Sequence, residues 1–217
     1  MKEDHQEKNP IHPSIEENHK KGISRRGFLK GAGLTAAGTA IVNTGLLGMS
    51  TEPDVLDNPE LGPDAVTIKL KINGQVKRVT VEPRATLAHT LRDHLEMTGT
   101  KVVCDRGSCS ACTVWLDGKP VNSCSVLTLD VGDKEVTTIE GLSKNGELHP
   151  LQQAFIDHDA SQCGYCTPGM IMSAAHLLKT NPNPNLQDVK HAVRGNLCRC
   201  GTYPHVFNAT LDAAKKM

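Results

Sequence analysis

The chain has 217 residues, with 24 Lys+Arg set against 24 Asp+Glu and only 3% aromatic residues. No basic face emerges from that balance, which speaks against nucleic acid as a partner. The length permits one or two small domains behind an N-terminal extension. With so few aromatics their cores must be built from Leu, Ile, Val, Ala and Met, so bound groups or a partner surface must add stability.

Residues 1–50 read as an address, not as a domain. Residues 1–23 mix His, Lys and Glu with Pro10 and Pro13 and are expected to be disordered. Ser24-Arg25-Arg26-Gly27-Phe28-Leu29-Lys30 has the form of a twin-arginine export signal. The apolar run from Gly31 to Gly48 is rich in Gly, Ala and Thr and carries Asn43. It is about the minimum span of a membrane helix, and its composition is weaker than that of an anchor. No strong membrane association is therefore expected after export, which would deliver the protein to the periplasm or beyond. The competing reading is a chance Arg pair before an uncleaved anchor. No clear small-x-small cleavage site stands near Gly48-Met49-Ser50. The first 50 residues hold seven basic and five acidic groups, which leaves 17 against 19, formally −2, for the rest. Residues 51–63, TEPDVLDNPELGP, read as a linker.

Residues 64–142 give the pattern of a small α+β domain. Ala65 to Ile72 alternates apolar and polar, Asn73-Gly74 follows, and Gln75 to Val81 alternates again, which is a hairpin signal. Leu87, Leu91, His94 and Leu95 recur at helical spacing, with Thr86 as N-cap. Thr113 to Leu116 and Pro120 to Ser123 flank Asp117-Gly118 as a second hairpin, and Val136 to Ile139 supplies a further strand. Trp115, the sole Trp, is expected to pack in the core, with a partner-facing position as the alternative. Residues 143–217 read as four short helices. The first opens at His149-Pro150 and runs to about Asp159. The second starts at Cys166-Thr167-Pro168-Gly169, with Thr167 as N-cap. The third carries Leu186, Val189, Val193 and Leu197 inward. The fourth covers residues 204–216, with Val206, Ala209, Ala213 and Leu211 inward.

Eight cysteines lie in these two regions. Cys104, Cys109, Cys112 and Cys124 are spaced C-x4-C-x2-C-x11-C, the order of a plant-type [2Fe–2S] loop. Small residues (Gly107, Ser108, Ser110 and Ala111) let such a loop turn inward and aim N–H groups at sulfur, and the fourth cysteine is expected from a neighbouring strand. Cys163 and Cys166 form C-x2-C at a helix start, and Cys198 and Cys200 form C-x-C at the end of another helix. Two facing helix ends could supply four thiolates to a second, buried cluster, with the helix N-terminus after Cys166 favouring negative charge. Spacing alone favours iron–sulfur but leaves structural zinc and, in an exported protein, disulfides open. C-x-C chelates one small ion awkwardly, which argues against zinc without excluding it.

The two motifs, CDRGSCSACTVWLDGKPVNSC and QCGYCTPGMI…VRGNLCRCGTY, resemble the iron–sulfur subunit of the xanthine dehydrogenase/aldehyde oxidoreductase family of molybdenum hydroxylases, over roughly residues 65–217. The resemblance implies a β-grasp ferredoxin-like domain followed by a four-helix domain, each holding one [2Fe–2S] cluster. It implies a large partner subunit with a molybdenum-pterin cofactor, which Gln162 and Cys200 approach. It also implies that electrons pass from molybdenum to the cluster on Cys163, Cys166, Cys198 and Cys200, then to the cluster on Cys104, Cys109, Cys112 and Cys124. From there they would reach a flavin subunit or a cytochrome, during oxidation of an aldehyde or N-heterocycle. The family usually has Gly where this chain has Ser110; a Cβ there would crowd the loop, or its hydroxyl would bond a cluster sulfur. No nucleophile–base pair, phosphate loop or dinucleotide fingerprint is present, so no catalytic residue is assigned. The alternative function is a free-standing two-cluster ferredoxin.

Overall fold

The computed structural model describes residues 62–217. The export signal, the apolar run and residues 51–61 of the linker lie outside the described residues. Residues 62–217 belong to one compact unit.

The first half is a mixed sheet with a helix laid on it. Strands β1 (Val66–Ile72) and β2 (Gln75–Val81) pair antiparallel. The turn between them works because Asn73 and Gly74 both take positive φ, 51° and 76°, as a two-residue hairpin requires. The helix α1 follows, α-helical over Leu87–His89 and π-helical over Thr90–His94. Thr86 caps it by accepting from the His89 amide. The wider π turn accommodates Thr90, whose buried hydroxyl meets that of Thr128 at 2.7 Å. Strands β3 (Thr113–Leu116) and β4 (Lys119–Asn122) form the second hairpin around Asp117-Gly118, at φ 48° and 76°. The last strand, β5 (Glu135–Thr137), is shorter than expected: a 3₁₀ turn takes over at Ile139–Gly141. The sheet order is β2-β1-β5-β3-β4, with β1 and β5 parallel.

Alternation along the strands sends Leu70, Ile72, Val81, Val114 and Val136 to one face, where Leu87 and Leu91 of α1 complete a core. Trp115 faces the other way, and its neighbours belong to the second half. It is 7% exposed, its indole N–H donates to the Met172 carbonyl at 3.0 Å, and it sits in the helical core with Leu151, Met170, Ala174 and Val206.

That half holds four helices, α2 (Pro150–Asp157), α3 (Thr167–Thr180), α4 (Leu186–Ala192) and α5 (Tyr203–Lys216). Their starts are local in origin. Asn185 and Asp188 form a reciprocal capping box on α4. On α3 the capping position is Cys166 and Thr167 is already helical, its hydroxyl meeting Ser161 Oγ at 2.9 Å. The inward set of α4 is smaller than periodicity suggests. Val189 and Val193 are buried, but Leu186 is 42% and Leu197 59% exposed; the helix ends at Ala192, so its phase does not extend to Leu197. Val206, Ala209 and Ala213 of α5 are buried and Leu211 is half-buried. Among the described residues no helix is long and apolar enough to cross a membrane.

His149 caps α2 with Nδ1 as acceptor for the Leu151 amide, 3.1 Å away. Burial, with a smaller push from Lys144, holds its pKa below the ordinary 6.5. A cap that must stay neutral contributes fully above the unfolded value of 6.5 and is lost as pH falls through the depressed one. Acidification through that window is expected to cost about 1 kcal/mol. Melting curves on the two sides of pH 6.5 check this, and His149→Asn, which caps without titrating, should remove the difference.

Candidate metal centres

The first centre is a loop from Cys104 to Cys112, between α1 and β3, closed by Cys124. Cys124 is not on a strand, as expected from the sequence. It stands on the 3₁₀ turn Ser123–Ser125, just beyond β4. Asp105, Gly107 and Ser110 have φ of 53°, 73° and 52°, and these left-handed residues fold the loop around its own sulfurs. The Gly107 amide donates to Cys124 Sγ at 3.2 Å, Ser108 to Cys104 Sγ at 3.3 Å, and Cys124 to Cys112 Sγ at 3.4 Å. Gly107 has a second reason to lack a side chain, since a Cβ there would lie 2.8 Å from Ser125 Oγ. Cys109, Cys112 and Cys124 are buried and Cys104 is partly exposed.

The thiols carry opposite biases. The Arg106 amide, followed by Cys109 and the Ser108 amide, brings Cys104 down to about 7, whereas burial pushes Cys112 up to about 11. Burial also raises Cys109. A site that combines a ready thiolate with buried thiols needs positive charge in its middle to ionise them all.

The second centre is built from two helix N-termini. Cys163 and Cys166 precede α3. Cys198 and Cys200 lie in the loop before α5, not at the end of a helix as expected; Thr202, at the α5 capping position, meets Cys198 Sγ through its hydroxyl at 3.2 Å. Helix N-termini favour negative charge. Burial pushes Cys166 up to about 12; at Cys198 the Thr202 hydroxyl and amide outweigh burial and hold it at about 7. The expected burial of this centre is corrected. Cys166 is buried and Cys198 half-buried, but Cys163 and Cys200 are exposed, because the helices cover only one side. The open side carries Tyr165 and Leu197, 58% and 59% exposed, and Gln162 is exposed beside Cys163. Arg199 is exposed as well. His158 pairs with Asp212 at 3.3 Å, and His205 donates to the His158 carbonyl at 2.9 Å.

None of the eight cysteines is paired in a disulfide. In each centre they approach two by two, Cys104 with Cys109 and Cys112 with Cys124, then Cys166 with Cys198 and Cys163 with Cys200. Pairs of sulfurs with amides aimed at them fit a two-iron cluster, which takes two thiolates per iron, better than they fit a zinc site made of four thiolates.

The sequence did not reveal how the two centres meet. The Leu197 amide donates to the Cys109 carbonyl at 3.1 Å, and Asn196 Nδ2 to the Ser110 carbonyl at 2.9 Å. Tyr203 Oη donates to the Asn196 carbonyl at 3.0 Å and accepts from the Cys198 amide at 2.9 Å. Cys109 and Cys198 are thus joined by one hydrogen bond and a single intervening residue. Ser110 belongs to this junction. Its hydroxyl is turned to Gly195, where a Cβ would come within 3.2 Å of Oγ, and not to a sulfur. Left-handed backbone costs an L-residue about 1–2 kcal/mol, and the looser unfolded chain of a glycine offsets about 0.4–1 kcal/mol of that. Ser110→Gly is therefore expected to stabilise the protein by about 0.5–1 kcal/mol, readable as a higher midpoint in urea.

Comparisons with known proteins agree with this geometry. Residues 70–139 match the 2Fe-2S iron-sulfur cluster binding domain, residues 138–211 the [2Fe-2S] binding domain, and residues 22–42 the twin-arginine translocation pathway signal sequence. The chain is 38% identical over 213 residues to the aldehyde oxidoreductase iron-sulfur-binding subunit PaoA of Escherichia coli, covering 91% of each chain. The chain belongs to the iron–sulfur subunits of the xanthine dehydrogenase/aldehyde oxidoreductase family of molybdenum hydroxylases. The subunit is also 45% identical to the nicotine 6-hydroxylase small subunit of Paenarthrobacter nicotinovorans, over 69% of this chain and 90% of that one. Among solved structures it superimposes on quinoline 2-oxidoreductase from Pseudomonas putida with a TM-score of 0.68 at 39% identity, covering 70% of this chain and 95% of that one. The subunit is an electron-transfer component of an oxidoreductase, with two [2Fe–2S]-binding domains of its own and the molybdenum cofactor in a partner, and its signal directs export.

Proposed function

We propose that Cys104, Cys109, Cys112 and Cys124 hold one [2Fe–2S] cluster within residues 64–142, and that Cys163, Cys166, Cys198 and Cys200 hold the other within residues 143–217. Residues 1–50 then serve as the address and 51–63 as the linker. When bound, each cluster supplies a one-electron carrier. The chain's own residues keep the two carriers at a fixed separation and connect them. The hydrogen bond from the Leu197 amide to the Cys109 carbonyl is the observation that carries this reading: it links a ligand of one set to the residue preceding a ligand of the other. The Asn196–Ser110 bond beside it keeps that link in register.

The open side of the second centre is the face for the large molybdenum subunit. Exposed Tyr165 and Leu197 offer it apolar area, and Gln162 and Cys200 approach its pterin. The relatives are named for aldehydes and for N-heterocycles such as nicotinate and isoquinoline, which supports one of these two classes as the substrate of the whole enzyme. The twin-arginine signal supports a periplasmic location, where a flavin subunit or a cytochrome accepts the electrons leaving from the Cys104 loop.

Electron paramagnetic resonance on the dithionite-reduced protein, with iron and acid-labile sulfide measured in the same sample, tests the assignment. Two distinguishable S = 1/2 signals are expected. Protein purified anaerobically without iron or signal would overturn it.

A further inference from the structure

The first cysteine loop is tied to α1 through an imidazole. His89 Nδ1 lies 3.1 Å from Asp93 Oδ2, and His89 Nε2 lies 3.3 Å from Asp105 Oδ2. Asp93 is one turn further along α1, and Asp105 follows Cys104 in the loop. An imidazole facing a carboxylate at each nitrogen satisfies both only as the cation, with two N–H donors. Asp105 is also the first left-handed residue of the loop, at φ 53°. After that turn come the amides of Arg106, which lowers the Cys104 thiol, of Gly107, on Cys124 Sγ at 3.2 Å, and of Ser108, on Cys104 Sγ at 3.3 Å. His89 therefore grips the residue whose backbone aims three donors at ligand sulfurs.

We propose that His89 is a positioning residue for the first cluster. By bridging Asp93 and Asp105 it holds the turn that presents these amides, and its proton makes the reduction potential of that cluster depend on pH. The proposal rests on the reading of Cys104, Cys109, Cys112 and Cys124 as ligands. Hydrogen bonds to Asp93 and then Asp105 raise the His89 pKa above 6.5, against a smaller effect of burial. A raised pKa means the cation is present at pH 6.5 and is lost as pH climbs above it. Loss of the proton removes one N–H donor and one positive charge beside the loop. The reduced, more negative cluster is then less favoured and the potential falls. The other charged groups around the same hollow are Glu82, Arg84 and His94. Arg84 and Glu82 pair with each other at 2.7 Å, which leaves His94 as the other imidazole to test.

The experiment is a redox titration of the holoprotein, with the first-cluster signal followed by electron paramagnetic resonance at pH values below and above 6.5. The wild-type potential is expected to step down as pH rises. His89→Gln should lie below the wild-type acid-side value and lose the step. His89→Lys, which keeps the charge without titrating in this range, should hold the acid-side value throughout. His94→Gln should retain the wild-type step. A wild-type potential indifferent to pH, a step that survives in His89→Gln, or one that disappears only in His94→Gln would overturn the proposal. Wild-type protein lacking one of the two signals would instead overturn the ligand assignment, which keeps the two failures distinct.

Discussion

Cys112→Ser is expected to remove half of the subunit's iron and to abolish one of its two paramagnetic signals while the other survives. Cys112 is 2% exposed, directly precedes β3 and accepts from the Cys124 amide. A serine cannot offer iron a thiolate, and no other cysteine remains to replace it. Losing a supporting partner of a metal ligand costs roughly 10–100-fold in affinity or activity, and losing the ligand itself should exceed that. Acceptor-linked turnover of the complete enzyme should therefore fall by more than a hundredfold. Substrate should still reduce the molybdenum of the partner subunit, because that step lies upstream. Cys198→Ser gives the mirror image: it abolishes the other signal, and it also removes the Cys198–Thr202 contact at the start of α5, so the melting temperature should drop as well. Wild-type turnover in Cys112→Ser would remove the Cys104 loop from the electron path.

Gly169→Ala is expected to loosen the junction between the halves without touching a cysteine. Gly169 lies in the first turn of α3, where alanine would ordinarily gain about 1 kcal/mol of helix propensity. The surroundings reverse the sign. A Cβ at Gly169 would fall on the Ser110 carbonyl oxygen and come within 3.0 Å of both the Cα and the O of Ala111. These are backbone atoms of the first loop, so no side chain can swing aside, and the helix must move away. Overpacking of this kind costs about 1–3 kcal/mol or more, which for a chain of this size is a few degrees of melting temperature per kcal/mol. The movement also strains the bonds from Leu197 to Cys109 and from Asn196 to Ser110. Electron exchange between the two centres, measured by rapid freezing after substrate addition, should slow while iron content stays at the wild-type value. Unchanged melting and exchange would show that α3 can shift without disturbing the junction.

Much of this molecule is written in short stretches. Asn73-Gly74 and Asp117-Gly118 determine two hairpins because few residue pairs tolerate two successive positive φ angles. Thr86, Pro168 and the Asn185–Asp188 box start helices through groups within a few residues of each other. The spacing of the cysteines is chemistry on a local scale, since a loop of Gly, Ser and Ala can wrap a small core only at certain intervals. What the tertiary structure decided involves residues far apart in the chain. The alternation of β3 shows that Trp115 points opposite to Val114 and Leu116, but not that the face it occupies is covered by α3. Periodicity counts Leu186 and Leu197 as core, yet burial depends on what lies alongside, and beside Leu197 there is open surface. The exposure of Cys163 and Cys200 has the same origin: spacing brings four sulfurs together but does not say how many sides are walled. Asn196, Tyr203 and His89 carry no signature in sequence, because a lone polar residue acquires a role only from the carbonyl or carboxylate that folding brings within 3.3 Å of it. Local backbone preference sets the elements and the ligand spacing; the packing of one half on the other sets which residues connect the two centres.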